Sequence, residues 1–328
     1  MLFEPGSSVP VVEPEPYATL VVETETPRPG DSERLEGMLH GLASQLRQLG
    51  RQVEVLVYHD DEVDEAEVAR SIDLSGIRAI SGTDVEVIAA DGRRYYEVKN
   101  HGASRSRAQI VAFIDADLEL EEGYLGALLG PFDDPTIEVV VGSSYVAPEG
   151  AWYQRAFSAF WVFPLRTDDG PLIDATALFA NSVAFRTRVA RRNPFPQDDR
   201  YRGACSTLVR QLRDRGVKVV QNPLARSRHP PPRGFTVRRA LWRGRDRERS
   251  AQLGEWRMRP GPISVFAVLL RDVSVSCGRI VRYRRLVGLR RRELPAALLL
   301  AVGFQGLVWV GFVVAAIKPG FIERRYPL

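Results

Sequence analysis

Val111 to Leu120 reads VAFIDADLEL. With Ile110 before it, an unbroken apolar run leads straight into two carboxylates, Asp115 and Asp117, separated by one alanine. A short apolar run of this kind predicts a strand buried on both faces. Carboxylates two apart on an extended chain can straddle one ion or its waters. Hard oxygen ligands suit magnesium or manganese, which also bind phosphate oxygens. An ion bridging a diphosphate would neutralise its charge and stabilise a departing nucleotide. Asp-x-Asp alone is also what a strand ending in an acidic turn looks like, so the surroundings must decide.

Upstream, ATLVVET (18–24) is rich in β-branched residues and predicts a buried strand. PRPGD (27–31) then breaks the chain. From Ser32 to Leu49 apolar residues recur at helical spacing, with Asp31 or Ser32 as cap and Gly50 as stop. Val53–Tyr58, Val85–Ala89 and Glu138–Val141 read as further strands. Strands alternating with helices predict an α/β architecture, a mostly parallel sheet covered on both faces. Ligands in such sheets sit beyond the carboxyl ends of the strands. Glu23 and Thr24, Asp60 and Asp61, and Asp115 and Asp117 should therefore converge on one rim.

KNHGASRSRAQIVAFIDAD (99–117) resembles the donor-site run of family 2 glycosyltransferases, in which a basic or Asn-Gly loop leads into an apolar strand ending in Asp-x-Asp. Lys99, Asn100, Gly102 and Arg107 match the loop. VVETETPRPG (21–30) resembles the family's first strand and nucleotide-binding turn, without the usual Pro-x-Tyr-Asn form. VEVLVYHDDEVD (53–64) resembles the second strand, whose terminal acid contacts the base; that acid would be Asp60, with Asp61 as alternative. LFANSVAFRTRVARRNPFP (178–196) resembles the acceptor-side stretch, where a small-residue turn precedes a new strand. The resemblance covers about residues 18–230 and lies in order and spacing more than in any one motif. It implies a GT-A fold, a nucleotide-sugar donor with UDP as carrier, Mg2+ or Mn2+, and a lipid-linked or glycan acceptor. Glu23, Thr24, Asp60, Lys99, Asn100, Arg107 and Asp115 would bind the nucleotide sugar, and Asp115 and Asp117 the metal.

One position departs from the family. There an acidic pair opens a helix, and one carboxylate takes the acceptor's proton. Counting back from Gly216 and Leu208 puts that position at Ala204 and Cys205, neither a carboxylate. The nearest acids are Asp198 and Asp199, and the base is assigned to Asp199, with Asp198 as alternative. His229 stands where several family members have a histidine that completes the metal or phosphate site; neutral imidazole is a competent ligand for manganese. Arg238, Arg239, Trp242 and Arg243 faintly resemble an acceptor-channel motif. Two other readings remain. One is a weakened relative that binds a nucleotide sugar or scaffolds a membrane complex. The other is a nucleotidyltransferase, for which PRPGD is a poor activating loop.

The 328 residues carry a net charge of only +4. From Arg200 to Arg259, however, about 17 bases face about 4 acids, an asymmetry that points to an anionic partner. Aromatics do not interleave there as a stacking platform would need, so a diphosphate or anionic lipid is expected and nucleic acid is not. Leu294 to Ile317 holds no charge and is long enough to span a bilayer. Six arginines (282, 284, 285, 290, 291, 292) precede it; only Lys318, Arg324 and Arg325 follow. The positive-inside rule then puts the soluble part in the cytoplasm and the C-terminus across the cytoplasmic membrane. Ile263–Val281 is broken by Arg271, Asp272 and Arg279, so an interfacial helix costs less than a second span. Cys205 and Cys277 have no metal-ligand spacing and fit a reducing compartment. Residues 1–16 lack a basic stretch followed by an apolar run and read as a flexible leader with no secretory signal. The expected order is leader (1–16), glycosyltransferase domain (17–235), basic membrane-proximal region (236–292), transmembrane helix (293–318) and tail (319–328).

Overall fold

The structure is a computed structural model, and it describes residues 15–24, 32–146, 148–160, 170–198, 200, 203–229, 237–255 and 262–326. The expected leader falls almost wholly outside these. In chain order the elements are β1 (Ala18–Glu23), α1 (Ser32–Leu49), β2 (Val53–His59), α2 (Glu65–Ser75), β3 (Thr83–Ala89), α3 (Tyr95–Arg105), β4 (Ile110–Asp115), β5 (Glu119–Leu120), α4 (Tyr124–Leu129), β6 (Val139–Val146), α5 (Trp152–Phe160), β7 (Ile173–Asp174), β8 (Ser182–Arg186), α6 (Thr187–Arg192), α7 (Ala204–Asp214), β9 (Val219–His229), α8 (Val237–Gln252), α9 (Pro262–Tyr283), α10 (Leu294–Ile317) and α11 (Phe321–Arg325).

The strands form one mixed sheet in the order β3-β2-β1-β4-β8-β6-β9-β5, with β7 on β9. β1 lies parallel between β2 and β4. Every residue of β1, β2 and β4 is buried, as their largely apolar runs require; inside them, Thr19 donates to the buried Glu54 carboxylate at 2.7 Å. β8 runs antiparallel to both β4 and β6, so β6 and its parallel neighbour β9 resume the direction of β4. The sheet is therefore parallel on the β1 side and mixed beyond β4. The β8 reversal matters for function, because it sets β9 and its terminal His229 on the far side of the β4 rim.

Alternate residues of each strand feed two cores. Leu20, Val22, Val55, Val57, Ala112 and Ile114 pack under α1, α2 and α4. Val21, Leu56, Val111 and Phe113 pack under α3, α6 and α7. On the second face α3 approaches β1 closely. A Cβ on Gly102 would lie 2.7 Å from both methyls of Val21, so only glycine lets the helix sit this low.

A third core joins α5, α8, α9 and α10 around Phe157, Phe160, Phe304 and Val308. The helix over Arg291–Ile317 is long and apolar enough to cross a membrane, and only a minority of its residues are buried. α8 crosses it in backbone contact. A Cβ on Gly244 would fall 2.6 Å from the Phe312 nitrogen, and one on Gly311 would fall 2.7 Å from the Leu241 Cα. Gln305, the one strongly polar residue of α10, donates to Ser276 Oγ of α9 at 2.9 Å. Arg279 of α9 donates to the Ala159 carbonyl of α5 at 2.9 Å. The C-terminal helices are thus packed onto α5, which follows β6, and do not trail as a separate tail.

Gly244→Ala should force α8 off α10 and destabilise the chain by about 1–3 kcal/mol, as overpacking does. Gly303→Ala, on α10 with nothing within 4 Å, should instead stabilise slightly, by up to about 1 kcal/mol, through helix propensity. Thermal unfolding in detergent would compare the two midpoints, and shifts of the same sign would contradict the crossing.

Candidate active site

The rim is built where β1 and β4 end side by side, with Glu23 registered on Asp115. The turn after β4 is clamped by backbone bonds: Ala116 N donates to the Glu23 carbonyl at 3.1 Å and Asp115 N to the Asn181 carbonyl at 3.2 Å. Both acids of the Asp-x-Asp are buried, at 5% and 4% exposure. Burial of a carboxylate is expensive unless it is paired and hydrogen-bonded. Asp115 meets that condition. Lys99 Nζ donates to its Oδ1 at 2.8 Å, and the Tyr95 hydroxyl lies 3.0 Å from each oxygen. Lys99 is itself fully buried, 4.0 Å from Glu23 Oε1 and over the Tyr95 ring at 4.2 Å.

Asp117 is placed differently. Its Oδ2 lies 3.6 Å from His229 Nε2, at the end of β9. Its Oδ1 is buried and has no hydrogen-bond partner among the described residues; the same holds for Thr24 Oγ1 and both polar atoms of the Asn181 amide. Each buried unsatisfied group costs about 1–3 kcal/mol, so this concentration at one rim marks a surface that expects a polar ligand. The described residues contain no group of three or more His, Cys, Asp or Glu spaced to hold a metal. Mg2+ does not need such a cage, since it is commonly held by one or two carboxylates with water and substrate phosphates completing the shell. A carboxylate with an orphaned oxygen beside an imidazole fits Mg2+ or Mn2+ in that manner.

The other expected site residues fall into three groups. Glu23, Thr24, Lys99, Asp115, Asp117 and His229 share the rim or its floor. Asp60 ends β2 at the same edge, half-buried, its Oδ1 3.2 Å from the Glu62 nitrogen. Asp61 accepts from Gly92 N at 2.9 Å and so holds the turn after β3.

Three residues lie elsewhere than expected. Lys99 and Asn100 lie on helix α3, not on a loop; the Asn100 amide is spent on the Phe195 backbone, donating to its carbonyl and accepting from its nitrogen. Arg107 lies at the opposite end of the sheet, before β4 begins. Its guanidinium pairs with Glu54 at 2.7 Å and Asp84 at 2.6 Å, residues near the starts of β2 and β3. An arginine there cannot meet a ligand at the Asp115 edge.

Ala204 and Cys205 do open α7, and Cys205 Sγ contacts the Tyr96 hydroxyl at 3.5 Å. Asp199 lies outside the described residues. Asp198 is engaged through both oxygens by Arg200, Nε to Oδ1 at 2.7 Å and Nη2 to Oδ2. Glu255, beyond α8, takes Arg200 Nη1 at 2.6 Å and the Thr207 hydroxyl. Burial works against the charge of Arg200, but these two carboxylates prevail and keep it firmly protonated. Both oxygens of Asp198 are therefore occupied by one guanidinium.

Tyr95 and Asn181 were not foreseen. Tyr95 stands four residues before Lys99, one helical turn, and Glu97 accepts from Arg94 N at 2.8 Å as a helix start would show. Reading YYEVKN as helix would have found the Tyr95–Lys99 pair. Asn181 has no such signal, because only the β4–β8 pairing brings it to Asp115. His101 also has a partner: its Nδ1 lies 2.8 Å from the Tyr58 hydroxyl. Burial first, and Arg93 and Arg105 after it, lower its pKa, while burial pushes Tyr58 up to about 12.

Lys99→Met should leave Asp115 and Glu23 buried without a counter-charge. Removing one partner of a buried pair typically costs about 3–5 kcal/mol. Denaturant unfolding of the two proteins would measure it, and a loss under about 1 kcal/mol would mean that Tyr95 and the backbone suffice.

Residues 31–191 match the family described as "Glycosyl transferase family 2". No curated protein matches the sequence. Among solved structures the fold is similar to the mannosyltransferase PcManGT from Pyrobaculum calidifontis, solved in complex with GDP-Man and Mn2+, at a TM-score of 0.56 and 14% identity, over 96% of this chain and 91% of that one. At that identity the likeness speaks for the fold alone. The strand order, the Asp-x-Asp rim and the family match together identify the chain as a glycosyltransferase that carries a family 2 domain of GT-A fold.

Proposed function

We propose that the chain moves a sugar from a nucleoside diphosphate sugar to a lipid-linked or glycan acceptor at the cytoplasmic face of a membrane, with inversion at the anomeric carbon. The observation that carries this reading is the Asp117 carboxylate, buried with an orphaned oxygen beside His229, next to an Asp115 already neutralised by Lys99. Asp117 and His229 would hold Mg2+ or Mn2+, with Asp115 as a further oxygen at its edge. When bound, the ion would offset charge on the diphosphate as it departs. The solved relative holds GDP-Man and Mn2+; in this chain UDP is the carrier that the sequence resemblance implies.

The chain's own groups divide the remaining work. Asp115, fixed by Tyr95 and Lys99, presents acceptor oxygens to donor hydroxyls without needing to reorganise. Glu23, Thr24 and Asp60, at the ends of β1 and β2, line the nucleotide side. The acceptor hydroxyl attacks the anomeric carbon as the bond to the diphosphate oxygen breaks, and a carboxylate on the acceptor side takes its proton. Arg200 sequesters Asp198, so Asp199 is the better base. The arginine-rich flank before α10 suits the anionic surface of a cytoplasmic leaflet.

A second reading has one observation in its favour. Ala204 and Cys205 replace the family's acidic pair, and the nearest described acids, Asp198 and Glu255, are both tied to Arg200. Such a protein would bind the donor without transferring its sugar.

Asp117→Asn should weaken manganese-dependent binding of UDP or GDP at least about tenfold in calorimetry while the fold persists. Wild-type-like binding would sink the metal assignment. Asp199→Asn should slow transfer about 10²–10⁴-fold with nucleotide affinity unchanged; an unaltered rate would place the base elsewhere. If the wild type binds nucleotide yet transfers nothing across a panel of acceptors, the binding reading takes over.

A further inference from the structure

Length and composition alone make α10 a bilayer span, but its neighbours do not allow one. Spanning would place the flanks of α10 on opposite sides of the membrane. Both flanks are bonded to the same body. At the start, Glu293 pairs with Arg155 of α5 at 3.2 Å. At the finish, Glu323 of α11 pairs with Arg245 of α8 at 2.6 Å, and the Trp242 indole of α8 donates to the Tyr326 carbonyl at 2.7 Å. α8 is in turn fixed to the catalytic domain, because Ser250 and Glu255 bind Arg200 beside α7.

The crossing point is equally restrictive. α8 holds six arginines and two acids in its 16 residues. It touches α10 through backbone at Val308–Phe312, just past the middle of the apolar run. A perpendicular span would carry Arg243, Arg245, Asp246 and Arg247 into hydrocarbon, where charges are costly. Arg247 is also paired with Asp272 of α9, so α9 would be drawn in too.

Yet α10 is not a soluble core helix. Pro295, Leu299, Val302, Gly303, Val310 and Ile317 form an exposed stripe along its whole length, and Leu299 and Ile317 are 72% and 71% exposed. α9 adds its own exposed apolar residues on one face, Phe266, Leu270 and Val281, each more than half exposed. Exposed arginines flank both stripes, at 271, 282, 285, 290, 291 and 292. Apolar stripes bordered by arginine match an interface whose surface is anionic and whose interior is apolar. A second copy of this chain would bring the same positive charge and repel.

We infer that α9 and α10 lie in the plane of an anionic bilayer surface, stripes down, and that the C-terminus stays on the same side as the catalytic domain. This is independent of the proposed transfer reaction. The charged face of α8 then remains at the headgroups, and the chain is monotopic.

The test uses the full chain. Single cysteines at Leu299, Val302, Val310 and Ile317, in a background with Cys205 and Cys277 changed to serine, carry a fluorophore quenched by brominated lipids in phosphatidylcholine–phosphatidylglycerol vesicles. Leu299 and Ile317 are about 27 Å apart along the helix. Equal depth at all four sites is expected, as is a fusion after Leu328 that fluoresces as green fluorescent protein and is inactive as alkaline phosphatase. Leu299→Asp with Ile317→Asp should reduce vesicle-bound protein at least about tenfold. A graded depth profile, or an active phosphatase fusion, would overturn the in-plane seat in favour of a span. Failure of the wild type to bind vesicles, with a concentration-dependent dimer in its place, would overturn the bilayer as the partner.

Discussion

Lys99 is the buried charge on which the site depends. Fully enclosed under α3, it compensates Asp115 at 2.8 Å and lies within 4.0 Å of Glu23. Without it, two parallel strands could not end in adjacent carboxylates inside the protein, because each would be uncompensated in a low-dielectric surrounding. The pair needs α3 to lie low on β1, which needs Gly102 against Val21. It also needs Tyr95 one turn earlier to take the remaining oxygen. A glycine, a tyrosine and a lysine on one helix therefore set the position of an aspartate on a strand.

The neutralisation of Asp115 divides labour within the Asp-x-Asp. One carboxylate is held by Lys99 and Tyr95 and becomes a fixed acceptor. The other keeps an unsatisfied oxygen and faces an imidazole from a strand on the far side of β8. Preorganised groups of this kind do not reorganise when charge develops on a leaving group. The acceptor side shows the opposite economy. There Arg200 draws Asp198, Glu255, Thr207 and Ser250 into one network. That network joins the catalytic domain to α8, so the residue that occupies Asp198 also fastens the C-terminal helices.

Those helices show how apolarity and topology are separate properties. The run Leu294–Ile317 is long and apolar enough to cross a membrane, and among the described residues one side of it is an exposed stripe. The opposite side is closed by α8 at glycine–glycine contact and by Gln305 on Ser276. The helix is thus covered on one side by a charged helix and exposed on the other, although its sequence is apolar all round.

The sequence by itself determined the strands whose burial is complete. β1, β2 and β4 are dominated by apolar residues that have no stable place except between two layers, and their polar ends had to lie together because parallel strands share a direction. Asp115, Asp117, Glu23 and Thr24 were legible for that reason, and His229 through family order. Tertiary structure alone decided the rest. Lys99 and Asn100 sat in a segment without clear apolar periodicity, so a resemblance to a loop stood in for the helix. Arg107, eight residues before Asp115 in sequence, lies a full strand length away in space, since β4 intervenes. Asn181 reached the rim only because β8 turns back along β4. Whether an apolar helix crosses a bilayer or lies along it cannot be read from its own residues, because the answer rests on what is bonded to its two ends.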